Sequence, residues 1–413
     1  MPRFRLPAPE RRHRGDLLVA AVLVVLLAGV AILYFAQSPA SNTESVTAAA
    51  PVDPPPPAGA VPAGFTELWR APSPATPAPI AAGGGVVVAG DSTVSGRDAR
   101  TGRERWSYTR DLPLCTVASA FGRVLADYRE DEYCSELSAL DPRNGARGPT
   151  RTLDARPGTR LVGDGPLLAT GQDYLETMRS DLVRTTEYGT VRALEEPGDQ
   201  PRTGCTYSSF GAGGGRVAVT EDCPSDTSQR LTVLRPDAAK GDQPAADFST
   251  ELGVRGAQVI AVATDRVAVL LPGEPRLLLL DRAGKRVGEV PLAVGSPVFT
   301  PSDGVARVTR DDGDLYWWTG AATVALDSET LEPRWTLPGT LGPGVPYAGR
   351  LLVPVPGGLA DADPGTGVSR GTVPVDRAGW DGPVQVAAQG SVLVELRGQD
   401  VVALGPRTPA GSS

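Results

Sequence analysis

The sequence predicts an all-β body, a β-propeller of about eight four-stranded blades with seven as the alternative count, preceded by one transmembrane helix. Three observations predict it. The composition favours short strands and turns; a turn-and-strand pattern recurs roughly every 40 residues; and one uncharged stretch long enough to span a bilayer comes before both.

The 413 residues include 49 Gly and 40 Pro and are rich in Val, Ala and Thr, a mixture suited to many strands joined by tight turns. Residues 1–16 form a basic head in which Arg3, Arg5, Arg11, Arg12 and Arg14 stand against Glu10 and Asp16. That balance of +3 leaves -11 for the rest of a chain whose net charge is -8. An acidic body speaks against nucleic acid as a partner.

Residues 17–36 carry no charge. At about 1.5 Å per residue, a helix of that length crosses a hydrocarbon core of about 30 Å. No Lys or Arg follows until Arg70, so the positive-inside rule puts the head in the cytoplasm and the C-terminal body outside it. The expectation is a single-pass protein of the cell membrane, in contact with the bilayer through residues 17–36. Ser38-Pro39-Ala40 offers the competing reading, a cleaved signal peptide, but such a peptide has an apolar region of roughly 7 to 15 residues. No cysteine precedes Cys115, so no lipid-bearing cysteine follows the apolar stretch.

Residues 37–64 are mostly Ala, Pro, Ser and Thr, with four prolines from Pro54 to Pro57, and read as an extended linker holding the body off the bilayer. The propeller is expected over 65–405 and a disordered tail over 406–413.

The fullest copy of the repeat runs from Gly85 through Val86-Val87-Val88 to Asp98, Thr101, Gly102 and Trp106. Asp98 suits bonding to backbone N–H groups two residues on, Gly102 suits the positive φ of a closing turn, and Trp106 starts the next strand with a large apolar face. Degraded copies carry Asp141 and Gly145, Asp281, Asp327 with Trp335, and Asp363 with Gly367. Leu331 stands where the Asp327 copy should have Gly, and Gly371 where the Asp363 copy should have Trp. Turns mark blades near 73–110, 111–153, 157–195, 203–250, 253–292, 295–337, 341–375 and 379–405. The last lacks its final strand. The orphan strand around Trp69, Phe65 to Arg70, should pair with Val401 to Leu404 and close the ring, removing both open edges.

The run Asp-x-x-Thr-Gly-x-x-x-Trp at Asp98 to Trp106 resembles the repeat of PQQ-type propellers, the family of quinoprotein dehydrogenases and BamB-like envelope proteins. The quinoprotein enzymes of that family imply a disulfide between adjacent cysteines against the quinone, calcium ligands and a catalytic Asp. No Cys-Cys dipeptide occurs here, so no cofactor and no enzymatic activity are expected.

Four cysteines in an exported body favour disulfides, and three connectivities are possible. Cys115 and Cys134 flank Gly122-Arg123-Val124, and Cys205 and Cys223 flank Gly215-Arg216-Val217. The two pairs sit at corresponding places in two blades, which suggests Cys115 with Cys134 and Cys205 with Cys223, each tying a hairpin within one blade. Closing a loop of that size stabilises by ~3 kcal/mol. A metal site is the rival, opposed by the lack of Cys-x-x-Cys and of a nearby His.

The only histidine is His13, in the head, which excludes Ser-His-Asp and Cys-His catalysis and His-ligated zinc in the body. Gly211 to Gly215 lacks the Lys-Ser/Thr of a phosphate loop and reads as a hairpin loop. Asp311-Asp312-Gly313-Asp314 reads as a solvated turn rather than a calcium loop. Glu130-Asp131-Glu132 and Glu195-Glu196 read as exposed, and Tyr316-Trp317-Trp318 as core. Two functions remain in view: a noncatalytic scaffold for envelope or membrane proteins, and a small-molecule receptor or quinoprotein-like enzyme with quinone or carbohydrate in the central funnel.

Overall fold

Arg14–Ala36 is a single α-helix whose large apolar side chains from Leu17 to Tyr34 are exposed, with Asp16 in its first turn. The structure is a computed structural model that describes residues 14–36, 41–51, 53–163, 165–192, 200–237, 243–295 and 298–407. The head arginines before Arg14, His13, Ser38-Pro39-Ala40, Glu195, Glu196 and residues 408–413 lie outside the described residues. The chain divides into two compact units, Met1–Glu44 and Ser45–Ser413.

The second unit is a ring of eight antiparallel blades. Blade 1 runs from Ile80–Ala82 to Glu104–Thr109, blade 2 from Leu114–Ala120 to Arg147–Ala155, blade 3 from Leu161–Gly163 to Arg184–Gly189 and blade 4 from Thr206–Gly213 to Ala245–Glu251. Blade 5 runs from Gln258–Val262 to Arg286–Pro291, blade 6 from Val308–Asp311 to Pro333–Pro338 and blade 7 from Val345–Tyr347 to Ser369–Pro374. Blade 8 takes three strands from the chain's end, Val384–Gln389 to Asp400–Pro406, and its fourth from the start of the body, Phe65–Pro72. Glu67 lies opposite Leu404, Trp69 opposite Ala403 and Arg70 opposite Val402. The count is therefore eight, and the orphan strand closes the circle.

Central strands are buried on both faces because each blade is sandwiched by two neighbours. Val267 to Leu271 of blade 5 are all buried, and alternate residues pack against blade 4 on one side and blade 6 on the other. This explains why these strands read as continuous apolar runs rather than alternating ones.

The repeat motif clasps one blade to the next. Asp98 Oδ1 accepts bonds from the N–H groups of Arg100 (3.1 Å) and Thr101 (2.8 Å) and from the Thr101 hydroxyl (2.9 Å). The turn ends at Gly102 with φ +68°, and a Cβ there would meet the Trp69 indole at 2.6 Å. Trp69 also donates its indole N–H to Ala99 O at 2.9 Å, so a ring from blade 8 sits on the turn of blade 1. The same seat recurs twice. Trp106 of blade 1 covers Gly145 and donates to Pro142 O (3.0 Å), while Trp335 of blade 6 covers Gly367 and donates to Pro364 O (2.8 Å). Asp141 and Asp363 cap those turns as Asp98 does. Asp281 caps the turn of blade 5, where Phe248 of blade 4 covers Gly284.

The departure at Asp327 has a structural reason. Leu331 keeps the turn's left-handed conformation at φ 59° and its N–H still donates to Asp327 O (2.9 Å). Blade 5 offers Gly288, opposite Leu279, where blades 1, 4, 6 and 8 have an aromatic ring. The fully buried Leu331 belongs to the same apolar cluster as Leu279.

Part of the expected linker lies on the ring instead of standing off it. Ala48 N–H donates to Asn144 O at 3.0 Å, Pro55 is buried, and Ala58 and Val61 pack against the apolar cluster of blades 7 and 8. Ala, Pro and Val cannot form a core alone, but they can cover apolar surface that already exists.

Candidate functional site

First strands line a central channel of about 410 Å³, with contributions from blades 1 to 6 and from Gln385 of blade 8. Small aliphatic residues such as Ala118, Ala212 and Ala261 make its walls, and Arg160, Arg307 and Arg310 make it cationic. Asp303 bridges two of these: it pairs with Arg160 in a close contact and with Arg307 at 3.1 Å. Arg310 donates to Ala212 O (3.2 Å) and Val262 O (3.4 Å). Burial lowers Arg160 to about 10, which still leaves it charged at neutral pH. Burial alone would raise Asp303, but Arg160 and Arg307 outweigh it and hold the carboxyl below its usual range. A carboxylate so held has no proton to give near neutral pH.

A groove of about 320 Å³ continues from the channel, sharing Pro77, Arg307 and Gln385 with it. Its walls are aromatic. Phe299 lies 5.2 Å from Trp318, which donates to Thr340 O at 3.0 Å, and Trp380 donates to Pro383 O at 3.3 Å. Trp318 is buried, whereas Phe299 is 37 % and Trp380 38 % exposed, unusual for side chains of their size. The groove opens where the chain enters its first strands, at loops that tertiary structure brings together from blades 1, 6, 7 and 8.

The sequence-derived residues fall elsewhere. Asp98, Thr101, Gly102, Trp106, Asp141, Gly145, Asp281, Asp327, Trp335, Asp363, Gly367 and Trp69 belong to the clasps and do not line the channel. Tyr316, Trp317 and Trp318 are core, as expected, although Trp318 also shows an edge to the groove. Glu130, Asp131 and Glu132 are exposed. Asp311 and Asp312 are exposed at a hairpin turn, while Asp314 is buried and pairs with Arg334 at 2.9 Å. Arg160, Asp303, Arg307, Phe299 and Trp380 were not foreseen, because each is an isolated residue in an irregular stretch with no motif around it.

Both disulfides form with the expected partners, Cys115 with Cys134 and Cys205 with Cys223. They are not equivalent ties. Cys205 and Cys223 flank the hairpin of the first two strands of blade 4, whereas Cys115 is in the first strand of blade 2 and Cys134 in the third, so that bridge crosses Arg123–Glu130. A bulge between Leu114 and Thr116 frees Cys115 to reach over.

Buried carboxylates cluster around these bridges, a feature invisible in the sequence. Asp127 lies against Cys115–Cys134, and Glu221 against Cys205–Cys223. Glu221 accepts bonds from Tyr188 (2.7 Å) and Arg202 (2.8 Å). Between them, Glu176 of blade 3 accepts the Asp154 N–H at 2.9 Å and lies 3.7 Å from Arg184. Burial outweighs Arg184 and raises Glu176 to about 7.

Residues 65–174 match the family model described as outer membrane protein assembly factor BamB. That stretch holds the closing strand, blades 1 and 2 and the start of blade 3, and the PQQ-type, BamB-like resemblance of the repeat holds there. No curated protein matches the chain. Among solved structures, one described as the mitotic checkpoint complex is similar at 10 % identity and TM-score 0.42, covering 86 % of this chain and 96 % of the other. Sqt1 of Saccharomyces cerevisiae is similar at 7 % identity and TM-score 0.46, covering 87 % of this chain and 99 % of the other.

Proposed function

We propose that the chain is a membrane-tethered, extracytoplasmic scaffold without catalytic activity that holds envelope proteins at one end of its ring. The observation that carries this reading is the groove, where two large aromatic side chains remain exposed beside Arg307 on an otherwise well-packed body. Aromatic and arginine side chains are the usual anchors of protein interfaces. The channel adds support from the opposite direction, since its carboxylate is held low by arginines and its walls are aliphatic, a poor setting for acid–base chemistry. The helix Arg14–Ala36 serves as the anchor, with the arginine-rich head on the cytoplasmic side.

In-cell crosslinking of the anchored protein followed by mass spectrometry tests this reading, with a chain ending at residue 64 as control. A recurrent partner crosslinked near Phe299 and Trp380, lost in a Phe299→Ala/Trp380→Ala variant that still folds, is the expected result. No partner above control overturns it.

A second reading, a receptor for a small anionic molecule such as a quinone carboxylate, draws on the three arginines of the channel. It predicts saturable binding of such anions to the purified protein that Arg307→Ala abolishes.

A further inference from the structure

Cys115–Cys134 and Cys205–Cys223 each have an acid beside them, but only one of those acids lacks a partner. Asp127 sits in the strand that Cys115–Cys134 crosses, opposite Thr116 on one side and Leu137 on the other. A carboxylate oxygen of Asp127 and the two sulfurs all lie within 4.8 Å of one another. The residue is 0 % exposed, and neither of its oxygens has a hydrogen-bond partner among the described residues.

The charges facing Asp127 do not neutralise it. Glu136, on the neighbouring strand of blade 2, pairs with Arg110 at 3.3 Å, and Glu176, across in blade 3, is engaged by Arg184. Burial first, then the charges of Glu176 and Glu136, push the Asp127 carboxyl well above its usual range. Its surroundings therefore favour the protonated form, and one of its oxygens lies within 4.8 Å of both sulfurs.

The bridge is also asymmetric. Cys134 is fully buried, whereas Cys115 is partly exposed at the bulge. An incoming thiolate can reach Cys115, and the sulfur displaced is then Cys134, in an apolar cluster that disfavours a thiolate unless a proton arrives with the electron pair. At the other bridge, Glu221 accepts hydrogen bonds from Arg202 and Tyr188, and both Cys205 and Cys223 are buried.

We propose that Cys115–Cys134 is an exchangeable disulfide at which Asp127 gives and takes the proton, with a dithiol as the reductant, while Cys205–Cys223 is a fixed tie. One thiolate of the dithiol attacks the Cys115 sulfur and the S–S bond breaks. Its electron pair goes to the Cys134 sulfur, which takes the Asp127 proton. The second thiol of the dithiol then loses its proton and attacks its own partner sulfur in the mixed disulfide. This releases Cys115, which is protonated in turn. The dithiol leaves as a disulfide, two electrons have moved, and Asp127 regains its proton from water. Reoxidation runs the same path backwards, with the Asp127 carboxylate as the base for Cys134.

The test treats the full-length protein in detergent with dithiothreitol, quenches with an alkylating reagent and maps each cysteine by mass spectrometry. Cys115–Cys134 is expected to open at least about tenfold faster than Cys205–Cys223. Its rate per dithiothreitol thiolate should fall as pH rises through the titration of Asp127. Asp127→Asn should lower that normalised rate at pH 7 by roughly 10- to 100-fold and flatten its pH dependence. An Asp127→Asn protein that opens at the wild-type normalised rate, or two bridges that open together, overturns the proposal. If Asp127→Asn does not fold, the wild-type pH profile and the ratio between the two bridges still decide: a flat profile refutes the role of Asp127.

Discussion

Blades 3 and 5 perform the same geometric task with opposite chemistry. Blade 5 packs Val267, Val269, Leu271, Leu278 and Leu280 against blade 4, and Ala268, Leu270, Leu277 and Leu279 against blade 6. Blade 3 has two inner strands of only three residues each and buries Tyr174, Glu176, Thr177, Thr186 and Tyr188. Both disulfides flank it, one in blade 2 and one in blade 4, in the apolar clusters that meet its two faces. Where buried polar side chains stand among the aliphatic ones, covalent ties and hydrogen-bonded charges add to what holds the ring together. The blade 3 sector is therefore expected to respond to pH and reductant more than the blade 5 sector does.

The clasps, which join blade 8 to 1, 1 to 2, 4 to 5 and 6 to 7, should show the largest effect. Trp106→Ala removes a fully buried ring and its bond to Pro142, and should destabilise by about 3–5 kcal/mol in denaturant unfolding of the detergent-solubilised protein. A loss below about 1 kcal/mol would mean that the clasp is ornamental and that blade faces alone join the ring.

Glu176 sharpens the contrast through pH. Its carboxyl titrates near 4.5 when unfolded and about 7 in the ring. Between those values the folded state keeps a proton that the unfolded state has lost, so stability falls as pH rises, by about 3 kcal/mol across the window. Glu176→Gln should remove this fall from the thermal unfolding profile between pH 4.5 and 7. An unchanged slope would locate the titration elsewhere.

Gly102→Ala should cost about 2 kcal/mol, because a Cβ at positive φ is strained and would also press on Trp69. Leu331→Gly should show the smallest change. It relieves about 1–2 kcal/mol of backbone strain but gives up about 1.5–3 kcal/mol of burial, for a net loss near 1 kcal/mol by the same unfolding assay. A gain in stability would show that Leu331 does not replace the missing ring of blade 5.

Much of the fold could be read from residue order because its determinants are local. An Asp followed by a Gly four positions on specifies a turn whatever surrounds it, and a run such as Arg266–Leu271 specifies a doubly buried strand. The closing strand was legible for a related reason: Phe65–Pro72 lacked a blade and the last blade lacked a strand. The disulfide partners were legible from spacing, but not the crossing of Arg123–Glu130, which depends on a bulge.

Residue order thus determined the anchor-length apolar stretch, the eight turns' worth of strands, the ring closure and the cysteine partners, each a matter of spacing along the chain. Tertiary structure alone decided that Trp106 would sit on the turn of the next blade, that Arg160 and Arg307 would meet at Asp303, and that Phe299 and Trp380 would share one groove. It also decided that Asp127 would be buried beside a disulfide with no hydrogen-bond partner among the described residues. Burial and charge pairing depend on which faces meet across blades, and residues hundreds of positions apart become neighbours only when the ring closes.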